Sequence, residues 1–544
     1  MSEMTSKRRG LPALAGIMLV FALGSGACTK PAPPARTGET AGGVNPDEPA
    51  WKNHTGGAEK LRWYINLGWV KEQWGDDWTS KYIKETAGFD FEVTGGEGDK
   101  LNTLIASGDL PDIITLAWWE PQYSEMVSAG YLLPLNKLAE QHDPYFFKAA
   151  NQDILNWNRQ PDGNVYGYNC YAVTPSDIAN SDEIYANRTF LARKDIYEAI
   201  GSPNMTSPEG FLKALRDAKA YLPRENGVPI YPFGLGDAFG GDHLDAYLQD
   251  FLAIPYEKDG KYYDRTTDSE YIRWLKTLRQ AYSEGLISND IFTDRGEQIG
   301  DKIVQGRYFA LQKQWVDMQD QQRLIHDTDP RRIYMAVDAP GNSRGAPPTL
   351  SAGGIDGWLI TGITAKSKNP ARAIEFFTYM ISEEGQRTIY MGVPGKTYEI
   401  ADGKERFKQD YWDAYMANPD VVYYESGVPN LWGYFTDQAS QTRYAPQAPD
   451  YIRAIRDWTA PYTFYGGLYV FNELDPDSRA GINSARIKSL WLAALPKLIT
   501  AANEREFDAL FNEFTAKRAE YGWGEIMDIY TALIAENRRK LGQR

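Results

Sequence analysis

Between Leu61 and Ala117 the chain alternates extended and helical patterning at short intervals, and this alternation constrains the fold more than any other feature. LRWYINL (Leu61 to Leu67) is a short β-prone run. Val70, Trp74, Trp78 and Tyr82 then recur at every fourth position until Gly88, which predicts a helix along that stretch with the aromatic stripe facing a core. FDFEV (Phe89 to Val93) predicts a second strand, KLNTLIASG (Lys100 to Gly108) a helix, and DIITLA (Asp112 to Ala117) a buried strand. Strands that alternate with helices in this way form mostly parallel sheets, so the predicted fold class is α/β.

Longer helices are predicted at Pro208 to Leu222, Ser269 to Glu284 and Pro370 to Glu384, with a C-terminal run from Ser484 to Asn537 broken near Gly522. No tandem repeat is present. The 544 residues, 42% of them hydrophobic, suffice for two or three domain-sized cores.

The front of the chain reads as an address. Lys7, Arg8 and Arg9 precede an apolar run from Leu11 to Leu23, and Gly24, Ser25, Gly26 and Ala27 lead into Cys28. The run is shorter than the roughly 20 residues a spanning helix needs, so residues 1–27 are expected to be an export signal. Residues 28–57, rich in Pro, Gly and Thr, lack apolar periodicity and are expected to be a flexible tether with a typical span of about 30 Å. The order of small residues before Cys28 resembles a bacterial lipobox, which implies a lipidated cysteine. Ser25 stands where that motif usually has Leu, and Ser25-Gly26-Ala27 also suits ordinary signal peptidase.

Charge and chemistry narrow the function. A formal net charge of −15 opposes nucleic-acid binding, and the leader is the basic part of the chain, so the remainder is more acidic still. With Cys28 consumed by processing, Cys170 has no partner for a structural disulfide. The four histidines are scattered, no Cys-x-x-Cys or phosphate loop occurs, and GNSRG (Gly341 to Gly345) is followed by Ala346-Pro347-Pro348 where a serine-hydrolase elbow needs a helix. Neither a metal nor a cofactor is expected. Paired carboxylates cannot be sorted by sequence, so a secreted glycoside hydrolase or polysaccharide lyase stands as the alternative to a binding protein, and a surface adhesin as a third.

Several stretches, in order, resemble the family 1 extracellular solute-binding proteins, in particular their large Gram-positive lipoprotein subgroup. They are KLNTLIASGDLPDII (Lys100 to Ile114), PDGNVYGYNC (Pro161 to Cys170) and RKDIYEAIGSPNMTSPEGFLKALRDAK (Arg193 to Lys219). Further along the chain stand LKTLRQAYSEGLISNDIF (Leu275 to Phe292), GRYFALQKQW (Gly306 to Trp315), SKNPARAIEFFTYMISEEGQ (Ser367 to Gln386) and YMGVPGKTYEI (Tyr390 to Ile400).

The resemblance implies a two-lobed periplasmic-binding-protein-like (type II) fold with hinge-crossing strands. The expected lobes are residues 58–172 with 350–398, and 173–349 with 399–544. It further implies a monomeric, non-enzymatic receptor, held at the extracytoplasmic face of the membrane by its lipid, that passes an oligosaccharide to the permease subunits of an ABC transporter. Some relatives carry a calcium loop where LPRENGVPI (Leu222 to Ile230) stands here without closely spaced acidic ligands.

Sugars present hydroxyls at ring edges and C–H patches on ring faces, so the candidate ligand-binding residues are aromatic and amide or carboxylate side chains near strand ends. These are Trp69 after the first strand, Trp118 and Trp119 after the strand ending at Ala117, and Tyr168 and Asn169 at the first crossing. Asp237 in GLGDAFGGD, Gln314 and Trp315, Asp356 and Trp358 in a glycine-rich stretch, and Trp432 complete the set. Of Trp118 and Trp119, one is expected to be buried under the loop and the other to meet ligand.

Overall fold

The computed structural model describes residues 45–543 except 71, 73, 182, 236–242, 445, 447, 472–473 and 476. Residues 1–27, expected to be an export signal, together with Cys28 and Asp237, therefore lie outside the described residues. Two larger sheets, each covered by hydrophobic cores on both faces, organise the described residues.

The first sheet contains β1 (Glu59–Ile65), β2 (Phe89–Gly95), β3 (Ile113–Ala117) and β4 (Tyr168–Asn169), together with a strand at Leu359–Ile363 contributed much later in the chain. Its order is β2-β1-β3, then Leu359–Ile363, then β4. β2 and β3 run parallel to β1, whereas Leu359–Ile363 is antiparallel to β3 with Leu359 opposite Ala117. Period-2 alternation divides the faces: Trp63, Ile65, Ile113 and Ala117 enter one core, and Tyr64, Ile114 and Leu116 enter the other. Both faces are thus covered, which accounts for the unbroken apolar run of β3.

The helix between β1 and β2 begins at Trp78, later than its aromatic stripe predicts. Asp77 accepts from the Ser80 backbone N–H (2.8 Å) and fixes the N-terminus there, and Gly88 closes the helix at φ +68°. Val70 and Trp74 therefore precede the helix. Trp74 still packs on the core, edge-on to Phe91 (4.8 Å) and Trp432 (4.6 Å).

The second sheet contains β5 (Arg188–Arg193), β6 (Tyr231–Gly234), β7 (Tyr308–Gln314) and β8 (Tyr334–Ala336), in the order β8-β5-β7-β6. β5 is antiparallel to β7, with Arg188 opposite Gln314, and β6 is parallel to it.

Among the described residues, the chain moves between the core of the first sheet and those of the second from Ala172 to Ala186, from Leu350 to Ile355, from Tyr444 to Ala448 and from Phe514 to Leu541, and Tyr465 and Leu468 also pack on the core of the first sheet. Leu350–Ser351 pairs in parallel with Thr463–Phe464, so two segments near these passages are hydrogen-bonded together.

Four further boundaries differ from expectation. Residues 399–444 are expected in the second lobe, but Trp432, Tyr434, Phe435 and Tyr444 are buried in the core of the first sheet. The tether expected over 28–57 ends early, because Trp51 is buried against Tyr379 (5.0 Å) and the Ala50 N–H donates to Asp143. The helix predicted at Pro370 to Glu384 stops at Ile381, where Ser382 caps a new helix, Glu383–Met391. The C-terminal run is likewise three helices, Arg479–Thr500, Glu504–Glu520 and Trp523–Lys540, with Asn503 capping the second and Gly522 at φ +77° preceding the third. None of the described helices is long and apolar enough to cross a membrane.

Candidate functional site

The carboxyl ends of β1, β2 and β3 and the amino end of the antiparallel strand Leu359–Ile363 lie along one edge of the first sheet. The loops leaving that edge enclose a cavity of about 400 Å³, whose walls include Asn66, Trp69, Glu97, Trp119, Glu120 and Trp358. Open α/β sheets place ligands at this edge.

Three indoles shape the cavity. Trp69 is 66% exposed and lies parallel to Trp358, with ring centroids 6.0 Å apart and planes 8° from each other. Trp119, 49% exposed, stands perpendicular to Trp118 at 5.6 Å. Trp118 is half-buried and its Nε1 donates to the Gly357 carbonyl (3.1 Å). The neighbouring pair thus divides, with Trp118 tying the β3 loop to the strand beside it and Trp119 opening to the cavity.

Gly357 makes that arrangement possible. Its φ is +60°, and a Cβ there would sit 2.0 Å from the Cys170 carbonyl oxygen, so only glycine lets the chain turn tightly enough to place Trp358 beside Trp69.

The polar wall is built from the ends of β1 and β3. The Tyr64 hydroxyl donates to Asn66 Oδ1 (2.9 Å), which leaves Asn66 Nδ2 to donate to Glu120 Oε2 (2.5 Å). The Ala117 backbone N–H also donates to Glu120. Burial raises the Glu120 carboxyl above the usual range, against the lowering effect of Asn66. Burial and then the Glu120 charge push Tyr64 up to about 12, so it remains a hydrogen-bond donor. Glu97, which also lines the cavity, is exposed, its carboxylate beside Gly68.

Asn169 and Asp356 do not line the cavity. Asn169 is buried, accepts from Asn158 Nδ2 (2.5 Å) and donates to the Asp356 carbonyl (2.6 Å). Burial lifts the Asp356 carboxyl to about 7, and its Oδ1 is buried without a hydrogen-bond partner.

The remaining candidates are placed elsewhere. Tyr168 is buried in the first core, its hydroxyl accepting from the Asn151 N–H (3.1 Å). Trp432 is buried in the same core with Nε1 directed at Asp77 (3.3 Å). Both are packing residues in this structure, because distant polar groups satisfy their polar ends. Trp315 is buried in the second lobe, where Nε1 donates to the Ala186 carbonyl (2.9 Å).

Gln314 is half-buried at the end of β7, opposite Arg188. Arg188 pairs with the fully buried Asp250, which also accepts from Arg265 (2.7 Å) and Tyr256 (2.9 Å). Sequence reasoning misses Asn66, Glu97, Glu120 and Arg188. The one signal for any of them is the position of Glu120 directly after Trp118-Trp119 at a strand end.

Two α/β lobes joined by several chain passages, with an aromatic and polar cavity at strand carboxyl ends, define a two-lobed solute-binding fold. Residues 68–387 match the family described as bacterial extracellular solute-binding protein, and the chain belongs to that family. It is 23% identical over 343 residues to lipoprotein LipO of Bacillus subtilis (strain 168), an alignment covering 59% of this chain and 64% of LipO. It is also 23% identical over 309 residues to the multiple sugar-binding protein of Streptococcus mutans serotype c, covering 54% of this chain and 64% of that one. The chain thus spans just under two thirds of these curated relatives. Among solved structures, the S. pneumoniae ABC-transporter substrate-binding protein FusA in complex with kestose superposes with a TM-score of 0.68 at 14% identity, over 88% of this chain and 100% of that one.

Proposed function

We propose that the protein is the extracytoplasmic receptor of an ABC importer, lipid-anchored through Cys28, that holds an oligosaccharide at the cavity between Trp69, Trp119 and Trp358 and presents it to the permease. The observation that carries this reading is the parallel pair Trp69 and Trp358 beside the exposed Trp119 and the Asn66–Glu120 hydrogen bond. Flat π faces match the C–H faces of pyranose rings, and the amide and carboxylate match ring hydroxyls. A receptor of micromolar affinity needs about 8 kcal/mol net. Stacking on more than one indole, together with charge-assisted hydrogen bonds, reaches that sum when water is excluded. The name of the Streptococcus mutans relative and the kestose complex of FusA add support for a carbohydrate ligand. The name of LipO supports the anchor.

The second lobe is expected to contribute Gln314, Arg188 and the segment containing Asp237. Calorimetric titration with a panel of defined oligosaccharides tests the function: one ligand binds stoichiometrically and is recovered unchanged. Hydrolysed or eliminated product would overturn the reading in favour of an enzyme. For the anchor, Cys28→Ala is expected to release the protein from the membrane fraction into the medium, and retention of that variant on the membrane would contradict lipidation.

A further inference from the structure

The cavity has an uneven charge. Among the described residues its walls include two carboxylates, Glu97 and Glu120, and neither lysine nor arginine. Among the described residues no basic side chain pairs with either acid. Lys100, on the helix Asp99–Ser107 that comes after β2, instead donates to the Gly95 carbonyl and approaches Glu72. Asn66 and a backbone N–H are the groups that meet Glu120, and both are neutral.

A half-buried carboxylate without a countercharge carries a desolvation cost that a bound cation relieves. The indoles act in the same direction, because the faces of Trp69, Trp119 and Trp358 attract a positive group through their quadrupoles. A uronic acid in the same place would add a third carboxylate to two that are uncompensated. A neutral ring could donate hydroxyls but would leave both charges unmatched.

Building on the receptor reading above, we propose that the ring bound at this cavity is an amino sugar with a free, protonated amine, set against Glu120 and Glu97 and stacked on the indoles. The ligand class is therefore a cationic or partly cationic oligosaccharide, and acidic oligosaccharides are rejected.

The test is calorimetric titration of the whole mature protein with four probes of equal length: the glucosamine tetramer, its fully N-acetylated counterpart, cellotetraose and tetragalacturonate. The glucosamine tetramer is expected to bind about tenfold or more tightly than the acetylated or neutral tetramer, and tetragalacturonate not at all. Glu120→Gln and Glu97→Gln, each with an unchanged melting curve, are expected to shrink the preference for the amine over its acetylated counterpart. Equal or tighter binding of a neutral or acidic tetramer overturns the amino-sugar assignment while leaving the receptor reading in place. A preference for the amine that both glutamine variants retain also overturns it. Absence of binding to all four probes counts against the assignment and the receptor reading together.

Discussion

Trp69 and Trp358 lie parallel within 8° at 6.0 Å, although one leaves the end of β1 and the other enters a strand contributed hundreds of residues later. Sheet topology brings them together: Leu359–Ile363 runs antiparallel beside β3, so its amino end meets the carboxyl ends of the parallel strands. Either ring alone would be an exposed apolar side chain. As a pair they form a rigid surface.

Loss of that surface is expected to reduce affinity. Trp69→Ala and Trp358→Ala should each weaken oligosaccharide binding by about 10- to 100-fold. The double variant should lose less than the product of the two, because each ring supports the other. Calorimetry on the three variants measures this coupling.

Exposed and buried tryptophans should separate cleanly by phenotype. Trp119→Ala is expected to weaken binding with little effect on stability. Trp432→Ala, which empties a site packed on Trp74, is expected to cost about 3–5 kcal/mol of stability. Denaturant unfolding beside ligand titration distinguishes the two outcomes.

Gly357→Ala is expected to disturb both properties. The added methyl would collide with the Cys170 carbonyl, and the positive φ disfavours any side chain. The Gly357 carbonyl holds Trp118, and the next residue is Trp358, so affinity should fall along with stability. Ligand titration and thermal unfolding of this one variant measure the two losses.

Asp356 gives stability a pH slope. Its carboxyl titrates near 7 in the folded protein because of burial, against about 4 in an unfolded chain. Between those values the native state keeps a proton that the unfolded state has released, so stability declines as pH rises from about 4 to about 7 and then levels. Asp143, lifted to about 6 chiefly by burial, adds to the same slope. Asp356→Asn should make the curve shallower and gain on the order of 4 kcal/mol over the wild type at pH 8. Thermal unfolding across pH 4 to 8 reads the difference.

The sequence disclosed those parts of the fold that depend on local patterning. β1 to β3 and the helix ends at Gly88 and Gly108 derive from periodicity and turn residues close in sequence, whereas the stretches between Lys100 and Ile400 were legible only as a resemblance to a known family. Trp119 and Trp358 were legible as site candidates because a strand end or a glycine-rich turn exposes the residue next to it. Asn66 was not, since a single Asn after a strand has no periodic signature, and Glu120, marked only by its place after Trp118-Trp119, meets Asn66 only when β1 and β3 are adjacent. Trp432 illustrates the converse. Its loop composition suggests exposure, but Asp77 and Trp74, remote in sequence, draw it into the core. Tyr434, Phe435 and Tyr444 are buried in the core of the first sheet for the same reason, through long-range packing that no local pattern announces.

Small-angle X-ray scattering of the mature protein, with and without a saturating oligosaccharide identified by calorimetry, tests the central claim most directly. Capture between lobes joined by chain passages predicts a smaller radius of gyration in the bound state, reversed when the sugar is removed. Saturated binding with an unchanged radius of gyration would contradict it.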